Sequence, residues 1–389
     1  MKIVELTAFH IRVPLRRVIR HASFERRESD NLVVRCVLSD RTVGYGEGLP
    51  REYVTGETID ESLKLLRRSD LAAQFAPCRD FPSAVAMAER LTLAPIPGDD
   101  RACQGNAARC AVELAILDAF GRAWGEPLSH VTKQLAPELY SPRQRVQYSG
   151  IIATSRGVKV RLVALLMRLY GFRDIKVKVG IPGYNDRSRL RAIRRIVGRR
   201  VDLRIDANEA WTAAEAISHI REFERFGISS VEQPLPHECL QDLSEVRRQV
   251  RTPIMLDESL CSSIDAHLAV ELQAADLFNL RLSKCGGFIP TLRLAQFARK
   301  HGIGYQLGCQ VGETAILSAA GRHFAGSVAD LRHAEGSYDR HLVLEPLSDE
   351  DLTFGRGGWA PLLVGSGLGV SINATALERQ VVRKEPLIG

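Results

Sequence analysis

The sequence predicts a β/α barrel of the TIM type, regular or modified to seven or eight strands, with an α+β capping domain at its N-terminus. Three observations predict it. Strand-like and helix-like segments alternate from about residue 145 onward. Lys178, Asp206, Glu232, Asp257 and Lys284 each end an apolar run, at intervals of 28, 26, 25 and 27 residues. A strand with its crossover helix takes about 30 residues, so the series puts one charged group at the C-terminal end of each of five successive parallel strands. That is the face where a barrel keeps its chemistry. Finally, 389 residues at 45% hydrophobic and 25% charged provide for a large core and two domains.

The elements follow in order. Residues 2–14 and 31–48 alternate or run apolar, with turn signals around Ser39-Asp40 and Gly44, and read as an antiparallel meander. Helices are expected at 59–66 and 84–91, and a strong amphipathic helix at 106–124 ended by Gly125. These form the capping domain, residues 1–130. The barrel domain, 131–352, has strands in VQYSGIIA, DIKVKVG, VDLRIDAN, ISSVEQP, PIMLDES, LFNLRLSK, GIGYQLG and LRHAEGS. Helical segments fall between them at 158–171, 187–199, 213–226, 239–250, 263–273, 289–301 and 314–325. A doubly wound open sheet would gather its chemistry at one switch point; five charged strand ends in a row favour the barrel. The tail, 353–389, is Gly-rich and then strand-like in GVSINA, without a helix–strand unit of its own.

Bulk properties narrow the function. Net charge is +7, and arginines cluster at 16–27 and 187–204. The second cluster carries Leu190, Ile193 and Val197 at helical spacing, so it reads as the solvated face of an outer helix rather than a nucleic-acid patch. No run of about 18 apolar residues indicates a membrane span, and the N-terminus lacks the pattern of a signal peptide. A soluble cytoplasmic protein without nucleic-acid or membrane partners is expected. The eight cysteines, at 36, 78, 103, 110, 239, 261, 285 and 309, form no CxxC pair and read as mostly buried, reduced thiols. There is no GxSxG, HExxH, P-loop or early GxGxxG, and the ten histidines show no metal-ligand spacing.

Three carboxylates on adjacent strand ends suit a hard divalent cation, which takes oxygen ligands and keeps positions open for water or substrate. Without a cation they would repel one another. A single one would read as a helix cap; three in phase call for a shared partner. Lys176 and Lys178 are two apart and point to the same side of their strand. Lys176 and a cation would both lower the pKa of Lys178, making it a usable base. Lys284, four strands further round, would face it across the barrel. Asn208 shares the parity of Asp206 and reads as a cavity ligand or a helix N-cap. Glu258 should point away from the metal position as an outer partner of Asp257. Glu313 follows the seventh strand and either reaches the mouth or caps the helix from Thr314.

The stretches IKVKVG, RIDANEAW, VEQPL, LDESL, LSKCGG and GCQVGET, with YGEG at a turn at 45–48 and ELAILDAFGRAWGEPL, resemble the enolase superfamily, in particular its muconate lactonizing enzyme subgroup. The resemblance spans nearly the whole chain. It implies that Asp206, Glu232 and Asp257 bind Mg²⁺ or Mn²⁺, that Lys178 and Lys284 are the acid/base pair, and that Lys176 tunes the site or touches a substrate carboxylate. It implies a small carboxylate substrate, a homo-oligomer, and loops near 16–30 and 50–57 that close over the substrate, with arginines 16, 17, 20, 26 and 27 attracting an anion. The C-terminal tail would return to the cap. The implied reaction is abstraction of the proton α to a carboxylate through an enediolate, as in a cycloisomerase or an amino-acid-derivative racemase or epimerase. A lyase of the o-succinylbenzoate synthase or acid-sugar dehydratase kind is the alternative. More remote are a Schiff-base aldolase and a non-catalytic nucleic-acid binder. Mandelate-racemase-like members carry a His on the seventh strand, where this chain relies on Lys284. Dipeptide epimerases of the subgroup usually show DxD at the eighth strand; Glu335 and Ser337 stand there instead, which speaks against dipeptides. Glu313 matches a glutamate of both cycloisomerase and racemase members.

Overall fold

The computed structural model describes residues 1–20, 25–155 and 157–389. In chain order its strands are β1 (Ile3–Arg20), β2 (Glu25–Leu38), β3 (Val43–Gly48), β4 (Arg145–Gln147), β5 (Gly150–Ile152), β6 (Asp174–Lys178), β7 (Asp202–Asp206), β8 (Ile228–Glu232), β9 (Ile254–Leu256), β10 (Leu277–Leu280), β11 (Gly304–Leu307), β12 (Leu331–Ala334), β13 (Trp359–Pro361) and β14 (Val381–Ile388). They form an antiparallel sheet in the order β14-β1-β2-β3, a parallel sheet running from β5 to β12 in sequence order, and the pair β13-β4. The parallel sheet is curled: Ser149, just before β5, donates its backbone N–H to the carbonyl of Ala334 at the end of β12 (2.8 Å). The fold is a TIM-type barrel with an N-terminal antiparallel cap.

The barrel strands are short and apolar because helices cover their outer face. Helix Asp186–Val197 shows the trade: Leu190, Ile193 and Val197 are buried while Arg187, Arg191 and Arg195 are exposed. Part of the second arginine cluster is therefore a solvated helix face, as the spacing predicts, but Arg189 of the same helix and Arg204 of β7 are buried.

The cap differs from the sequence expectation in four places. The segment 16–30 is no loop: β1 and β2 run on past Pro14 as a hairpin, with a register shift between Pro14 and Ile19. Its tip, 21–24, and the side chain of Arg20 lie outside the described residues. Leu15 bridges to Val343, and Arg16 Nε donates to the Val343 carbonyl (3.0 Å), so this arm lies over the loop after β12. The helix Asn106–Trp124 is not amphipathic but buried along most of its length, from Ala107 to Gly121. It is sandwiched between β3 and the barrel, so both faces are apolar. YGEG is strand, not turn, and its small residues have a reason: a Cβ at Gly46 would lie 2.0 Å from the Ala111 carbonyl oxygen, and one at Gly48 1.9 Å from that of Ala107. Alternate glycines let the helix backbone rest directly on the strand. Finally, the tail carries a helix, Ala374–Gln380, and then β14, which pairs with β1; GVSINA only leads into that helix.

Cap and barrel are joined by polar contacts at the C-terminal ends of β9 to β11. Asn106 Nδ2 donates to the carbonyls of Lys284 (2.7 Å) and Cys261 (2.8 Å). Buried Glu47 of β3 accepts from the Thr314 N–H and hydroxyl (3.1 and 2.8 Å) and from the Leu317 N–H (3.1 Å). Among the described residues no helix is long and apolar enough to cross a membrane.

Candidate active site

The site is built on the C-terminal ends of β6 to β10. Lys178, Asp206 and Glu232 are the last residues of β6, β7 and β8, and in register: Lys178 pairs with Asp206, and Asp206 with Glu232. Asp257 is one residue past β9. Lys284 departs from the expectation. Strand β10 stops at Leu280, and Lys284 sits in the turn that follows. The turn brings its side chain back inside, where it is 1% exposed.

Lys176 lies deeper in the barrel, 3% exposed, among three carboxylates. Its ammonium donates to Glu335 Oε2 (2.8 Å) and Glu232 Oε2 (3.1 Å) and lies 3.4 Å from Asp206 Oδ2. Burial disfavours its charge, but Glu232, Glu335 and Asp206 outweigh burial and its pKa is raised. Lys176 is therefore a fixed cation. Lys178 is half-buried at the mouth and donates to Asn208 Oδ1 (2.6 Å). Asn208 has φ +44°, and the next helix is capped by Thr212 instead; of the two readings of Asn208, the helix N-cap is not realised, and its side chain accepts from Lys178.

On the opposite wall, Lys284 Nζ donates to the Asp257 carbonyl (2.5 Å), Asp257 Oδ1 (2.9 Å) and the Asn279 carbonyl (2.9 Å). Burial opposes its charge and Asp257 overcomes it, so its pKa is raised. Strands β6 and β10 are four apart in an order of eight, which in a ring is the far side. The two lysines thus flank the carboxylates as the spacing implied.

The carboxylates are buried and differ. Glu232 is pushed up to about 8 by burial and by the charge of Asp206. For Asp206, burial is outweighed by Lys176 and Lys178; for Asp257, by Arg281 and Lys284; both lie below the ordinary range. Arg281 is a residue the strand-end argument passes over. Its guanidinium pairs with Asp257 and reaches Glu232 Oε1 at 3.7 Å, while its Nε is buried without a hydrogen-bond partner. Arg204 was equally hidden. Fully buried, it joins Glu335 Oε1 (3.1 Å) to Asp174 Oδ1 (3.0 Å). The signal was available: Arg204 and Lys176 each stand two before a charged strand end, so they share its face.

Glu258, next to Asp257, is 2% exposed. Its Oε2 is buried without a hydrogen-bond partner, and burial followed by the charge of Asp257 drives its pKa up. Glu313 accepts the Gln310 N–H (2.6 Å), and burial pushes it up to about 8; the helix after it is capped by Thr314, not by Glu313. Cys285 is buried next to Lys284 with its thiol pushed up to about 11 by burial. All eight cysteines are free thiols, six of them buried.

Asp206, Glu232 and Asp257 offer the hard oxygen donors that Mg²⁺ takes, and they come from the ends of consecutive strands. The cations now among them, Lys176 and Arg281, mark the charge that such an ion would supply. Among the described residues, the three groups whose donor atoms all lie within 4.8 Å are others: Asp174, Asp202 and His333. They sit at the opposite end of the barrel, where β6 and β7 begin, and the histidine spacing did not reveal them. His333 Nδ1 lies 3.2 Å from Asp174 Oδ2, which Arg204 and Ser149 also engage, and Nε2 3.5 Å from Asp202. These contacts fasten the strand starts.

Residues 160–376 match the family model described as enolase C-terminal domain-like. The chain belongs to the enolase superfamily. It is an isomerase of that superfamily. It is similar to the N-succinyl-L-Arg/Lys racemase of Bacillus cereus, 28% identical over 330 residues, covering 84% of this chain and 85% of the relative. Its structure superposes on a dipeptide epimerase from Enterococcus faecalis V583 complexed with Mg and L-Leu-L-Tyr, with TM-score 0.77, 28% identity, and 95% and 100% of the two chains covered. It also superposes on 2-chloromuconate cycloisomerase from Rhodococcus opacus, with TM-score 0.84, 22% identity, and 98% and 100% covered, a likeness of fold alone.

Proposed function

We propose that this enolase-superfamily chain is a Mg²⁺-dependent racemase or epimerase that inverts the carbon α to the carboxylate of an amino-acid derivative. The observation that carries the reading is the pair of lysines, Lys178 and Lys284, held on opposite walls with three buried carboxylates between them. Asp206, Glu232 and Asp257 would hold the ion, which when bound supplies positive charge beside the substrate carboxylate.

The residues of the chain divide the work. One lysine, neutral, takes the α-proton; the C–H electron pair moves into the carboxylate as an enediolate. The opposite lysine, as ammonium, gives a proton to the other face, and the configuration inverts. Asn208 orients the Lys178 amine, and the cap, through Asn106 on the Lys284 carbonyl, fixes the turn carrying Lys284. Lys176 and Arg281 keep the carboxylates apart and partly neutralised. Glu335 is spent on Lys176 and Arg204, and the Ser337 hydroxyl accepts from Arg322 (2.8 Å). Neither is open to a substrate ammonium, which favours an N-acylated amino acid over a free dipeptide.

The test is proton exchange. N-acyl amino acids, dipeptides and other small carboxylates are incubated with enzyme and Mg²⁺ in D₂O, and α-deuterium and optical rotation are followed. Deuterium incorporation with racemisation supports the reading. Exchange without racemisation but with ring closure or loss of water points to a cycloisomerase or a lyase instead. Exchange that persists undiminished in EDTA would remove the metal from the proposal.

A further inference from the structure

Two of the eight cysteines stand apart from the others. Cys103, in the cap, and Cys261, in the loop after β9, form with Val54 a small buried cluster separate from the main core, with Tyr53 packed on it. They are 4% and 0% exposed and 158 residues apart in the chain. Cys261 Sγ lies 3.6 Å from the Val54 carbonyl oxygen and Cys103 Sγ 3.9 Å from that of Thr55, so one helical turn, Glu52–Thr55, covers both sulfurs. Cap and barrel are locked in register on either side of the pair. Arg101, two residues before Cys103, bonds Asp265 through Nε and Nη2 (3.0 and 2.9 Å), and Asp265 also accepts the Cys261 N–H (2.8 Å). Asn106, three residues after Cys103, donates to the carbonyls of Cys261 and Lys284 (2.8 and 2.7 Å).

We propose that Cys103 and Cys261 are a redox pair that a peroxide closes into a disulfide between cap and barrel, beside the turn of Lys284. The Cys261 sulfur attacks one peroxide oxygen and the O–O bond breaks. Cys261 becomes a sulfenic acid, and its proton leaves with the departing hydroxide as water. The Cys103 sulfur then displaces the sulfenic oxygen. The S–S bond forms, the S–O bond breaks, and the Cys103 proton leaves with that oxygen as a second water. Two thiols lose two electrons and the peroxide takes them. Disulfides of this kind, in chains otherwise rich in free thiols, are transient and sense oxidants.

The surroundings divide the roles of the two sulfurs. Burial opposes a thiolate at Cys261, but the Cys103 thiol beside it and the charges of Lys284 and Arg101 outweigh burial, and its pKa is lowered. Cys103 is raised, by Cys261 and by burial. A thiolate is the attacking form, so Cys261 attacks and Cys103 resolves. Cys285 lies close by in sequence but packs in the main core, with its thiol pushed up to about 11 by burial. Access is local. The turn over the sulfurs has no side-chain N-cap and ends at Gly56, with φ +73°. A single helical turn is marginal by itself, so it opens without unfolding the barrel.

The test is oxidation of the folded full chain with hydrogen peroxide, then alkylation of the remaining thiols, a non-reducing digest and mass spectrometry. Bridge formation does not depend on which reaction Lys178 and Lys284 catalyse. The expected result is one linked pair of peptides carrying Cys103 and Cys261, a fall from eight free thiols to six, and full reversal by dithiothreitol. Closing a loop of this length should raise the Tm of the oxidised chain by about 4–6 °C. Cys103→Ser and Cys261→Ser should each lose that rise, and Cys239→Ser, at a half-buried cysteine outside the pair, should keep it. The peptide map of the unaltered chain decides the matter even where a variant fails to fold. Eight thiols that survive until the chain unfolds overturn the proposal. So does Cys261 driven on to sulfinic acid without a bridge, a bridge from Cys261 to Cys285, or a Tm rise that persists in Cys103→Ser.

Discussion

Lys176→Met tests whether the carboxylates under the barrel mouth depend on a cation. The methionine fills similar volume but removes the ammonium, which lies 2.8, 3.1 and 3.4 Å from Glu335, Glu232 and Asp206. Removing one partner from a buried ion pair costs about 3–5 kcal/mol, because the charges left behind remain desolvated. With an unfolding entropy of about 2.1 cal/mol/K per residue, 389 residues carry roughly 0.8 kcal/mol/K, so Tm should fall by about 4–6 °C. The loss should depend on metal. An ion binding only the folded chain at a hundred times its Kd adds about 2.7 kcal/mol, or roughly 3 °C here. In the variant the carboxylates lack their resident cation, so Mg²⁺ should restore more than it adds to the wild type. The assay is thermal unfolding of both proteins in EDTA and in saturating Mg²⁺. A drop under about 1 °C in EDTA, or a deficit identical with and without Mg²⁺, would refute the view of Lys176 as a counter-ion to metal-binding carboxylates.

Further outcomes are expected. Lys178→Ala and Lys284→Ala should each lower racemisation by about 10²–10⁴-fold, each sparing α-proton exchange from one enantiomer; exchange lost from both enantiomers in one variant would mean a single base. Glu47, buried at the cap–barrel joint, is pushed up to about 7 from 4.5 by burial. Between those pH values the folded chain holds a proton that the unfolded chain has released, so the contribution is full below 4.5 and is lost as pH rises to 7, at about 1.4 kcal/mol per unit. Glu47→Gln should therefore gain on the wild type over that window in urea melts; a difference independent of pH counts against it. Gly46→Ala should unfold the cap or leave it insoluble, since the new Cβ would meet backbone at 2.0 Å. Gly183→Ala, where nothing lies within 4 Å but φ is +78°, should cost only about 1 kcal/mol, as chemical unfolding of the two would show.

Much of the site was legible because a parallel strand repeats its geometry. Each βα unit has nearly the same length, so charged residues at a constant interval had to surface at one end of the barrel, and Lys178, Asp206 and Glu232 end their strands as counted. Lys284 was reached by the same count although it lies beyond its strand, because the turn after Leu280 folds inward. Periodicity reads alternation, not contact, and there it ran out. It could not show that Glu335 and Arg204 meet Lys176, residues far apart in sequence, nor that Arg281 bridges two carboxylates. The hairpin of β1 and β2 was missed because polar, arginine-rich sequence resembles a loop until it is paired, and backbone pairing is decided by the partner strand.

The βα repeat, the face on which the charges gather and the order of bases and carboxylates all follow from local spacing and can be read from the residues alone. Which charges are spent on one another, how the cap grips the turn of Lys284, and which helix, Gly157–Tyr170, keeps its apolar face in water are settled by packing. Those outcomes depend on burial, which converts a list of ionisable groups into pairs that must be satisfied together.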